Sequence, residues 1–329
     1  MEEDMSHDMD SQAIEKKPLV ILTGPTAVGK TALSIGLAKA IGGEIISADS
    51  MQVYRGMDIG TAKIRPDQMQ GVPHHLIDIL DPTEPFNVAV FQEYCNRSIE
   101  EIYQRGKIPI LVGGTGFYIQ AVLYDIAFTQ TQTDETYRQQ LQQIAKDQGA
   151  DRLHRQLAEV DPEAAAQIHP HNVKRVIRAL EYYQQTGQKI SEHNQEERQK
   201  TSPYHFCYYV LRLPREILYD RINKRVDQMR QEGLEAEVQR LLDAGCMRDM
   251  VSMQGLGYKE IIQAFDGEIT IEEAYDKIKQ ETRHFAKRQF TWFRRERDVH
   301  WLDKEQFADE QALLDYCIQD LTRRRVITT

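Results

Sequence analysis

Several common features are missing from this sequence of 329 residues. No apolar run approaches the length needed to cross a bilayer, so we expect no membrane-spanning helix and no membrane partner. The four cysteines lie far apart, without the spacing of a metal site or a disulfide framework, which favours reduced thiols in a cytoplasmic protein. Residues 1–17 are acidic and polar and lack the apolar stretch of a secretory signal, so they are predicted to be a disordered extension.

Excess positive charge is also missing. The 41 basic and 51 acidic residues give a formal net charge of −10, which by itself argues against a nucleic acid as partner. Binding depends on where charge lies, however, and the basic residues of this chain are clustered. The length permits one large α/β domain or two smaller ones, each with its own core.

The order of apolar runs and turns predicts a parallel sheet. Apolar runs at residues 19–22, 44–48 and 108–112 are predicted strands, and the first and third are each followed by a glycine-rich turn and a helical pattern. Repetition of strand, loop and helix predicts an α/β fold, a P-loop NTPase-like parallel sheet with crossover helices. In such sheets the ligand binds beyond the carboxyl ends of the strands.

The pattern changes to helical spacing near residue 129. Residues 129–200 are rich in Gln, Glu, Arg and Ala and lack a strand-like run, so they are predicted to form a helical insertion domain. Residues 18–128 and 201–329 are predicted to form the α/β core together. The later predicted elements are a strand at 207–213, one long amphipathic helix over about 215–244, and a short strand at 299–302.

The turn after the first strand fits the phosphate-loop pattern G-x-x-x-x-G-K-[ST]. Its residues are Gly24, Pro25, Thr26, Ala27, Val28, Gly29, Lys30 and Thr31. The glycines let several backbone N–H groups point at one anion at the positive end of the following helix. Lys30 adds a mobile positive charge, and the Thr31 hydroxyl can bind Mg²⁺. The pattern predicts a polyphosphate ligand, either a nucleotide or another pyrophosphate ester; the alternative is a chance glycine turn.

An acidic residue follows the second predicted strand, in the segment SADSMQVYR. Because ligand-edge turns follow the carboxyl ends of parallel strands, Asp49 is expected near the phosphate loop. It can hold Mg²⁺ through water, accept a proton from a nucleophile, or cap the segment after it. The residues alone leave these roles open. Arg55 and Lys63 are expected to add positive charge at the same edge.

An ordered set of motifs resembles one family. GPTAVGKT, SADSMQVYRGMDIGTAK, GVPHHLIDILDPTEPFNV and LVGGTGFYIQAVL follow one another, and later come HPHNVKRVIRALEYYQQTG, INKRVDQMRQEGLEAEV, QGLGYKEI and TRHFAKRQFTWFRR. This set resembles the tRNA dimethylallyltransferase family over nearly all of residues 18–301. A P-loop is shared by many families, whereas the ordered set is specific. Val90 and Phe117 depart from the family pattern without touching the expected chemistry.

The resemblance implies a reaction. It is the transfer of a dimethylallyl group from dimethylallyl pyrophosphate to N6 of adenosine 37 in the anticodon loop of tRNAs that read codons starting with U. Residues 24–31 would bind the diphosphate, Lys30 and Thr31 would be catalytic with Thr31 near Mg²⁺, and Asp49 would be the general base. Arg221 and Arg225, one helical turn apart, would reach the diphosphate, although a solvated basic helix face is the alternative.

The resemblance also implies contacts with tRNA. They are Asp49, Ser50, Met51 and Gln52, then Thr115, then Lys174, Arg175, Val176, Ile177 and Arg178, then Gln254, Gly255, Gly257 and Tyr258, and finally Lys287 and Arg288. An adenosine must leave the anticodon-loop stack to react, and RNA sites combine basic and stacking groups. The alternatives are a plain turn around Thr115 and an amphipathic helix with core-facing aromatics over residues 283–297.

Other functions stay open from the residues alone. A P-loop kinase of a nucleoside or small metabolite would use the same loop and Mg²⁺. A nucleotide-gated RNA-binding switch would need the loop but not Asp49. The histidine pairs at 74–75 and at 169 and 171 lack the partners of a metal site, so they are expected to be structural or near RNA. The resemblance implies a cytoplasmic protein with no obligate protein partner.

Overall fold

The computed structural model describes residues 16–128 and 134–327, which form two compact units. The larger unit consists of the described residues up to Leu123 and those from Pro203 onward, and the smaller unit runs from Tyr124 to Ser202. The predicted disordered extension lies outside the described residues except for its last two positions. Of these, Lys17 belongs to the larger unit, where its Nζ pairs with Glu100 at 3.0 Å.

The larger unit is built on the predicted parallel sheet. Its strands are β1 (Pro18–Thr23), β2 (Gly43–Ala48), β3 (His74–His75), β4 (Ile108–Gly113), β5 (His205–Arg212) and β6 (Val299–Asp303). They lie in the order β3-β2-β4-β1-β5-β6, and every neighbouring pair is parallel. Almost every residue of β1 and β2 is buried, because helices cover both faces of a parallel sheet. The central position of β1 places its following loop in the middle of the ligand edge.

Helices supply the remaining structure. In chain order they are α1 (Lys30–Ile41), α2 (Val88–Gln104), α3 (Gly116–Leu123), α4 (Glu135–Gln148), α5 (Ala150–Val160), α6 (Pro162–Gln167), α7 (Val173–Thr186), α8 (Ile190–Gln199), α9 (Arg215–Glu232), α10 (Leu234–Asp243), α11 (Tyr258–Phe265), α12 (Ile271–Phe293) and α13 (Glu310–Arg323). The smaller unit contains α4 to α8, and the larger unit contains the others. None of these helices has the length and apolar character needed to span a membrane, as far as the described residues extend.

The prediction of one helix over residues 215–244 is wrong, because the segment forms two helices. α9 ends at Glu232, and α10 begins at Leu234. Between them Gly233 has a φ of 94°, a left-handed conformation that other residues adopt at a cost. Its N–H donates to the carbonyl oxygen of Arg230, as is common where a glycine ends a helix.

The smaller unit has a core of its own. Leu153 and Leu157 of α5 pack with Val176 and Leu180 of α7. The chain enters and leaves this unit side by side, since Lys200 Nζ donates to the carbonyl oxygen of Asp125 at 2.9 Å. The unit spans Tyr124–Ser202, whereas the predicted insertion domain spans residues 129–200.

Candidate active site

The carboxyl ends of β1, β2 and β4 bring three polar turns together. In the register of the sheet, Gly113 lies beside Thr23 on one side and Ala48 on the other. Thr23 Oγ1 donates to the Gly113 carbonyl oxygen at 2.7 Å, and Thr115 N donates to the Ala48 carbonyl oxygen at 3.3 Å. The phosphate loop, the segment starting at Asp49 and the turn after β4 therefore begin at one level of the sheet.

The loop between β1 and α1 has the backbone conformation of an anion site. Gly24, Ala27 and Gly29 all have positive φ, with values of 144°, 62° and 97°. A Cβ on Gly24 would lie 2.7 Å from the carbonyl oxygen of Leu211 in β5, so a larger residue does not fit. Gly29 immediately precedes α1, whose first N–H groups have no intrahelical acceptor and point out of the helix start.

Two cations lie against this loop. Lys30 Nζ donates to the carbonyl oxygens of Gly24 and Pro25 at 2.9 and 3.0 Å. Burial, together with the nearby Arg225, lowers the pKa of Lys30 to about 8, while Asp49 acts in the opposite direction. Burial also lowers the pKa of Arg225, again opposed by Asp49. The ammonium, the guanidinium and the carboxylate are therefore close enough to interact electrostatically.

Thr26, near the middle of the phosphate loop, forms hydrogen bonds with two side chains from other elements. Arg225 of α9 donates to Thr26 Oγ1 at 3.3 Å. Thr26 N donates to Gln289 Oε1 at 3.0 Å, and Gln289 Nε2 donates to the Gly114 carbonyl oxygen at 2.9 Å. The Gln289 side chain thus links the phosphate loop to the turn that follows β4.

Gln289 is not among the predicted site residues, although the sequence carries a signal for it. Gln289 is a polar residue on the buried stripe of α12, which also includes Ala286 and Phe293. An amide is costly to bury unless its donor and acceptor are both satisfied. A glutamine on the apolar face of an amphipathic helix therefore indicates a specific polar partner.

Asp49 is held through one of its two carboxylate oxygens. Oδ1 accepts hydrogen bonds from the N–H groups of Met51 at 2.8 Å and Gln52 at 3.3 Å. This is the local capping role that the sequence left open. Within the described residues Oδ2 accepts no hydrogen bond, so the capping role leaves one oxygen for a proton or a metal ion.

A buried acid that no sequence motif singles out, Glu237, holds the segment 58–60 in place. Glu237 of α10 is buried, and its carboxylate accepts hydrogen bonds from the N–H groups of Asp58, Ile59 and Gly60 at 2.9, 2.8 and 3.0 Å. Tyr258 donates its hydroxyl to the same carboxylate at 2.7 Å. The Tyr258 side chain is 1% exposed, so the expected tRNA contact of this side chain is contradicted. Its hydroxyl is used inside the protein.

Lys63 does not supply the free positive charge expected at the ligand edge. Its side chain is buried and its Nζ pairs with Asp58 at 2.7 Å and Asp78 at 2.5 Å. Arg55 is exposed and pairs with Asp81 at 3.1 Å. Both cations are therefore balanced by nearby carboxylates.

Comparisons with known proteins identify the family. The family model described as IPP transferase matches residues 52–296, and the model described as isopentenyl transferase matches residues 17–81. The chain belongs to the IPP transferase family. A tRNA dimethylallyltransferase of Lachnoclostridium phytofermentans is 56% identical over 311 residues, which cover 94% of this chain and 99% of the relative. One of Bacillus subtilis is 53% identical over 288 residues, covering 88% and 91%.

Solved structures of IPP transferase relatives share the fold. The full-length tRNA isopentenylpyrophosphate transferase from Bacillus halodurans has a TM-score of 0.70 and 46% identity, covering 94% of this chain and 98% of that one. A eukaryotic dimethylallyltransferase acting on tRNA has a TM-score of 0.77 and 30% identity, covering 94% and 80%. The expected family and its α/β fold are thereby confirmed.

Two loops that carry expected tRNA contacts, residues 49–52 and 254–257, lie side by side. Met51 lies against Gly255, since a Cβ on that glycine would be 2.5 Å from Met51 Cε. Gln254 is exposed, and its Nε2 donates to the Arg248 carbonyl oxygen at 2.6 Å. Gly257, with a φ of 98°, immediately precedes α11. The segments 49–52 and 254–257 are therefore neighbours, as a shared RNA surface requires.

Two arginines of α9, Arg221 and Arg225, reach the phosphate loop. Arg221 is exposed, and its guanidinium nitrogen would lie 3.8 Å from a Cβ on Gly29. Arg225 contacts Thr26, as described above. The solvated basic face that was the alternative therefore does not account for Arg225, which is half-buried.

Helix α12 presents a basic face. An open groove along it is lined by His284, Lys287, Arg288, Thr291, Trp292 and Arg295. Lys287 and Arg288 are exposed, as an RNA contact needs. The core-facing interpretation holds for the fully buried Phe293 but not for Phe285, which is 38% exposed.

The five residues of α7 in the smaller unit that are expected to contact tRNA lie on different faces of the helix. Lys174, Arg175 and Arg178 are exposed. Val176 and Ile177 are 0% and 6% exposed and belong to the core of that unit. The expected tRNA contact is therefore contradicted for these two apolar side chains, because filling the core removes them from the surface.

The histidines at 74 and 75 have structural partners. They form β3 beside β2, where His75 Nε2 lies 2.7 Å from a Glu44 carboxylate oxygen and His74 Nδ1 lies 2.8 Å from the Val72 carbonyl oxygen. No group of three or more His, Cys, Asp and Glu side chains suited to a metal ion occurs between residues 16 and 327, leaving aside 129–133.

Proposed function

We propose that this chain transfers a dimethylallyl group from dimethylallyl pyrophosphate to N6 of adenosine 37 in the anticodon loop of tRNAs that read codons starting with U. The products are N6-dimethylallyladenosine and pyrophosphate. The proposal rests on one observation above all: an anion-binding loop lies beside Asp49, which keeps one carboxylate oxygen free of hydrogen bonds from the described residues. Membership of a family with relatives named tRNA dimethylallyltransferase supports the prenyl group and the tRNA.

The phosphate loop binds the diphosphate of the donor. In the free loop the Lys30 ammonium rests on two neutral carbonyl oxygens, and a diphosphate offers it a charged acceptor instead. Negative charge develops on the leaving pyrophosphate as the allylic C–O bond breaks. Lys30, Arg225 and the N–H groups at the start of α1 are placed before the reaction to stabilise that charge.

Asp49 prepares the attacking nitrogen. The N6 amine is a poor nucleophile because its lone pair is delocalised into the purine ring. The free Asp49 oxygen accepts the N6 proton as the C–N bond forms, and the electron pair of the broken C–O bond leaves with pyrophosphate. The hydrogen bonds from Met51 and Gln52 hold the carboxylate in position for this transfer.

The residues at the loop fit a bound Mg²⁺. This ion takes oxygen ligands and is usually held by one or two protein groups together with substrate phosphates and water. The hydroxyl of Thr31, an exposed residue in the first turn of α1, would hold it together with diphosphate oxygens. When bound, the ion neutralises part of the diphosphate charge. An all-protein metal cage is not needed for this arrangement.

With the exception of Gly257, which is buried, the tRNA contacts are assigned to exposed or half-buried residues. They are Asp49, Ser50, Met51, Gln52, Thr115, Gln254, Gly255, Gly257, Lys287 and Arg288 in the larger unit, and Lys174, Arg175 and Arg178 in the smaller one. We further propose that the protein acts in the cytoplasm without an obligate protein partner.

Mass analysis of nucleosides tests the proposal. Unmodified tRNA with adenosine at position 37 is incubated with the protein, Mg²⁺ and dimethylallyl pyrophosphate, without ATP, and then digested. We expect one adenosine to gain a C5H8 unit. A transcript with guanosine at that position should gain nothing, and Asp49→Asn should lose about 10²–10⁴-fold in rate while still binding tRNA.

The outcomes separate the competing functions. Phosphate transfer from ATP to a nucleoside or small metabolite, with no C5H8 gain on RNA, would establish the kinase alternative. Full turnover by Asp49→Asn would remove Asp49 as the base while leaving the overall reaction in place.

A further inference from the structure

Lys304 lies at the phosphate loop and has no role in the mechanism described above. It follows β6 and begins a short 3₁₀ turn, Lys304–Gln306. Because β6 is parallel to β5, and β5 to β1, the end of β6 lies at the same edge of the sheet as the loop. A Cβ on Gly29 would be only 2.8 Å from Lys304 Nζ.

An ion pair orients the Lys304 side chain. Its Nζ donates to Glu310 Oε1 at 2.5 Å. The Lys304 side chain is 8% exposed, whereas that of Glu310 is 57% exposed. Holding a lysine in one nearly buried conformation costs both solvation and rotamer entropy. A single exposed carboxylate gives modest compensation, because water screens exposed ion pairs.

The charges around the loop are unbalanced. Lys30, Arg221, Arg225 and Lys304 all approach residues 24–31, whereas Asp49 acts on Lys30 and Arg225, Glu310 pairs with Lys304, and the neighbouring Asp303 is paired with Arg212. Like charges gathered in a partly desolvated place repel one another. An anion with more than one negative charge relieves this repulsion, and it does so at the N-terminus of a helix.

We propose that Lys304 is a further ligand of the diphosphate. The Nζ atom of Lys30 lies at Gly24 and the Nζ atom of Lys304 lies at Gly29, so the two ammonium groups bind the anion from opposite ends of the loop. Glu310 holds the Lys304 ammonium in place in the free protein and shares it with the anion in the complex. This inference rests on the proposed function, since it assumes a diphosphate in the loop.

The contribution of Lys304 is expected in binding more than in the chemical step. Most of the diphosphate charge is already present in the donor before the C–O bond breaks, so most of this interaction is made in the ground state, and such binding changes KM more than kcat. Loss of one charge-assisted hydrogen bond corresponds to about a tenfold weaker complex. We therefore expect Lys304→Met to raise KM for dimethylallyl pyrophosphate about tenfold, with a smaller change in kcat.

Calorimetric titration of the full chain with inorganic pyrophosphate and Mg²⁺ tests this directly. Lys304→Met should bind about tenfold more weakly than the original protein, and Lys304→Arg should recover most of the loss. Lys17→Met is the matched control. It also removes a lysine from an ion pair, with Glu100, but at the opposite end of β1, and it should bind pyrophosphate unchanged.

Glu310→Gln separates a ligand from a structural ion pair. If Lys304 serves only to pair with Glu310, this variant should behave like Lys304→Met, and that result would overturn the inference. If Lys304 binds the anion, Glu310→Gln keeps the ammonium and should bind pyrophosphate at least as tightly as the original protein.

Failure of the inference and failure of the proposed function give different results. If the original protein binds no pyrophosphate, both fail together. If it binds, Lys30→Met binds far more weakly and Lys304→Met binds normally, then the diphosphate site stands and Lys304 is not one of its ligands.

Discussion

The phosphate loop and helix α7 both present basic residues, but they hold them in opposite ways. At the loop, Lys30 and Arg225 are withdrawn from water, and burial lowers the pKa of each. On α7, Lys174 and Arg178 are exposed above an apolar face. A desolvated cation held in one position interacts strongly with an anion at one place, because water screens it little. An exposed cation attracts any nearby phosphate, but more weakly. The first arrangement suits a small anion of fixed geometry, and the second suits a polymer of many phosphates.

The largest effect expected from this comparison comes from Gln289, which positions the loop without carrying charge. Gln289→Ala removes the bridge from Thr26 N to the Gly114 carbonyl oxygen. We expect kcat/KM for prenyl transfer to fall about 100-fold, since small displacements of reacting groups have effects of that size. Steady-state kinetics with labelled donor measure it.

Two further variants control for the position and chemistry of Gln289. Gln280→Ala changes an exposed glutamine of the same helix and should leave the rate unchanged. Gln289→Glu keeps an acceptor for Thr26 N but loses the donor to the Gly114 carbonyl oxygen. Its kcat/KM should therefore lie between those of Gln289→Ala and Gln280→Ala. Normal activity in Gln289→Ala would show that the bridge is not needed.

A smaller effect is expected on α7. Replacing Lys174, Arg175 and Arg178 together with Gln should weaken tRNA binding about tenfold and reduce the salt dependence of the binding constant by about two in log–log slope. Pyrophosphate binding should not change. Filter binding at several salt concentrations measures both quantities.

The control for α7 is a charge-matched triple variant. Lys146, Arg152 and Arg155 lie exposed on α4 and α5 of the same unit, and their replacement with Gln removes the same charge. Equal weakening by both triple variants would mean that the net charge of the unit matters and that α7 is not a particular contact surface.

The low pKa of Lys30 predicts a pH effect at the loop that α7 should lack. In the free protein the ammonium loses its proton as pH rises through about 8. A bound anion favours the charged form, so binding takes up a proton, and affinity falls as pH rises past that value. Between pH 7.5 and 8.5 we expect the affinity of the original protein for pyrophosphate to fall about threefold more than the affinity of a Lys30→Arg variant.

Calorimetry in buffers of different ionisation enthalpy measures this proton uptake. Pyrophosphate itself titrates in the same range, so the difference between the original protein and Lys30→Arg isolates the lysine. If both proteins take up the same number of protons on binding, the pKa of Lys30 is not lowered in the free protein.

A separate effect, on stability and not on binding, concerns Glu296, a half-buried acid in the larger unit. Burial raises the pKa of Glu296 to about 7. A carboxyl group whose pKa is higher in the folded state than in the unfolded state destabilises the folded state when it ionises. This destabilisation begins as pH rises above the ordinary pKa of the group and is complete above about pH 7. Glu296→Gln should therefore raise stability at pH 8 by on the order of 2 kcal/mol and change little at pH 4.5.

Thermal unfolding of the two proteins at both pH values measures this effect. The exposed Glu159→Gln should leave the unfolding temperature unchanged at either pH. An equal rise for Glu296→Gln at both pH values would mean that the gain has nothing to do with ionisation.

Part of the site could be predicted because its chemistry is local in sequence. The loop 24–31 and Asp49 each follow a strand, and strand order alone brings them to one edge. The partners of Gln289, Glu237 and Lys304 could not be found in this way. The contacts of these three residues with Thr26, Asp58 and Gly29, respectively, each join residues separated by more than 170 positions, and no periodic pattern connects them.

Other misses were readable from spacing. In α7 the apolar residues Val173, Val176, Ile177 and Leu180 recur at helical intervals, which predicts a buried face. The expected tRNA contact treated residues 174–178 as one block, although alternate sides of a helix cannot share one surface. The end of α9 at Gly233 was similarly marked by a glycine within an otherwise helical pattern.

Strand β1 lies in the middle of the sheet, so residues that follow strands on either side of it approach the phosphate loop from two flanks. Asp49 and Thr115 follow β2 and β4 on one flank, whereas Arg225 follows β5 and Lys304 follows β6 on the other. The proposed general base and the proposed cations Arg225 and Lys304 are therefore supplied from opposite flanks of the sheet. The proposed tRNA contacts at residues 254–257 and 287–288 also follow β5, so a substitution on that flank can alter the handling of both the RNA and the prenyl donor.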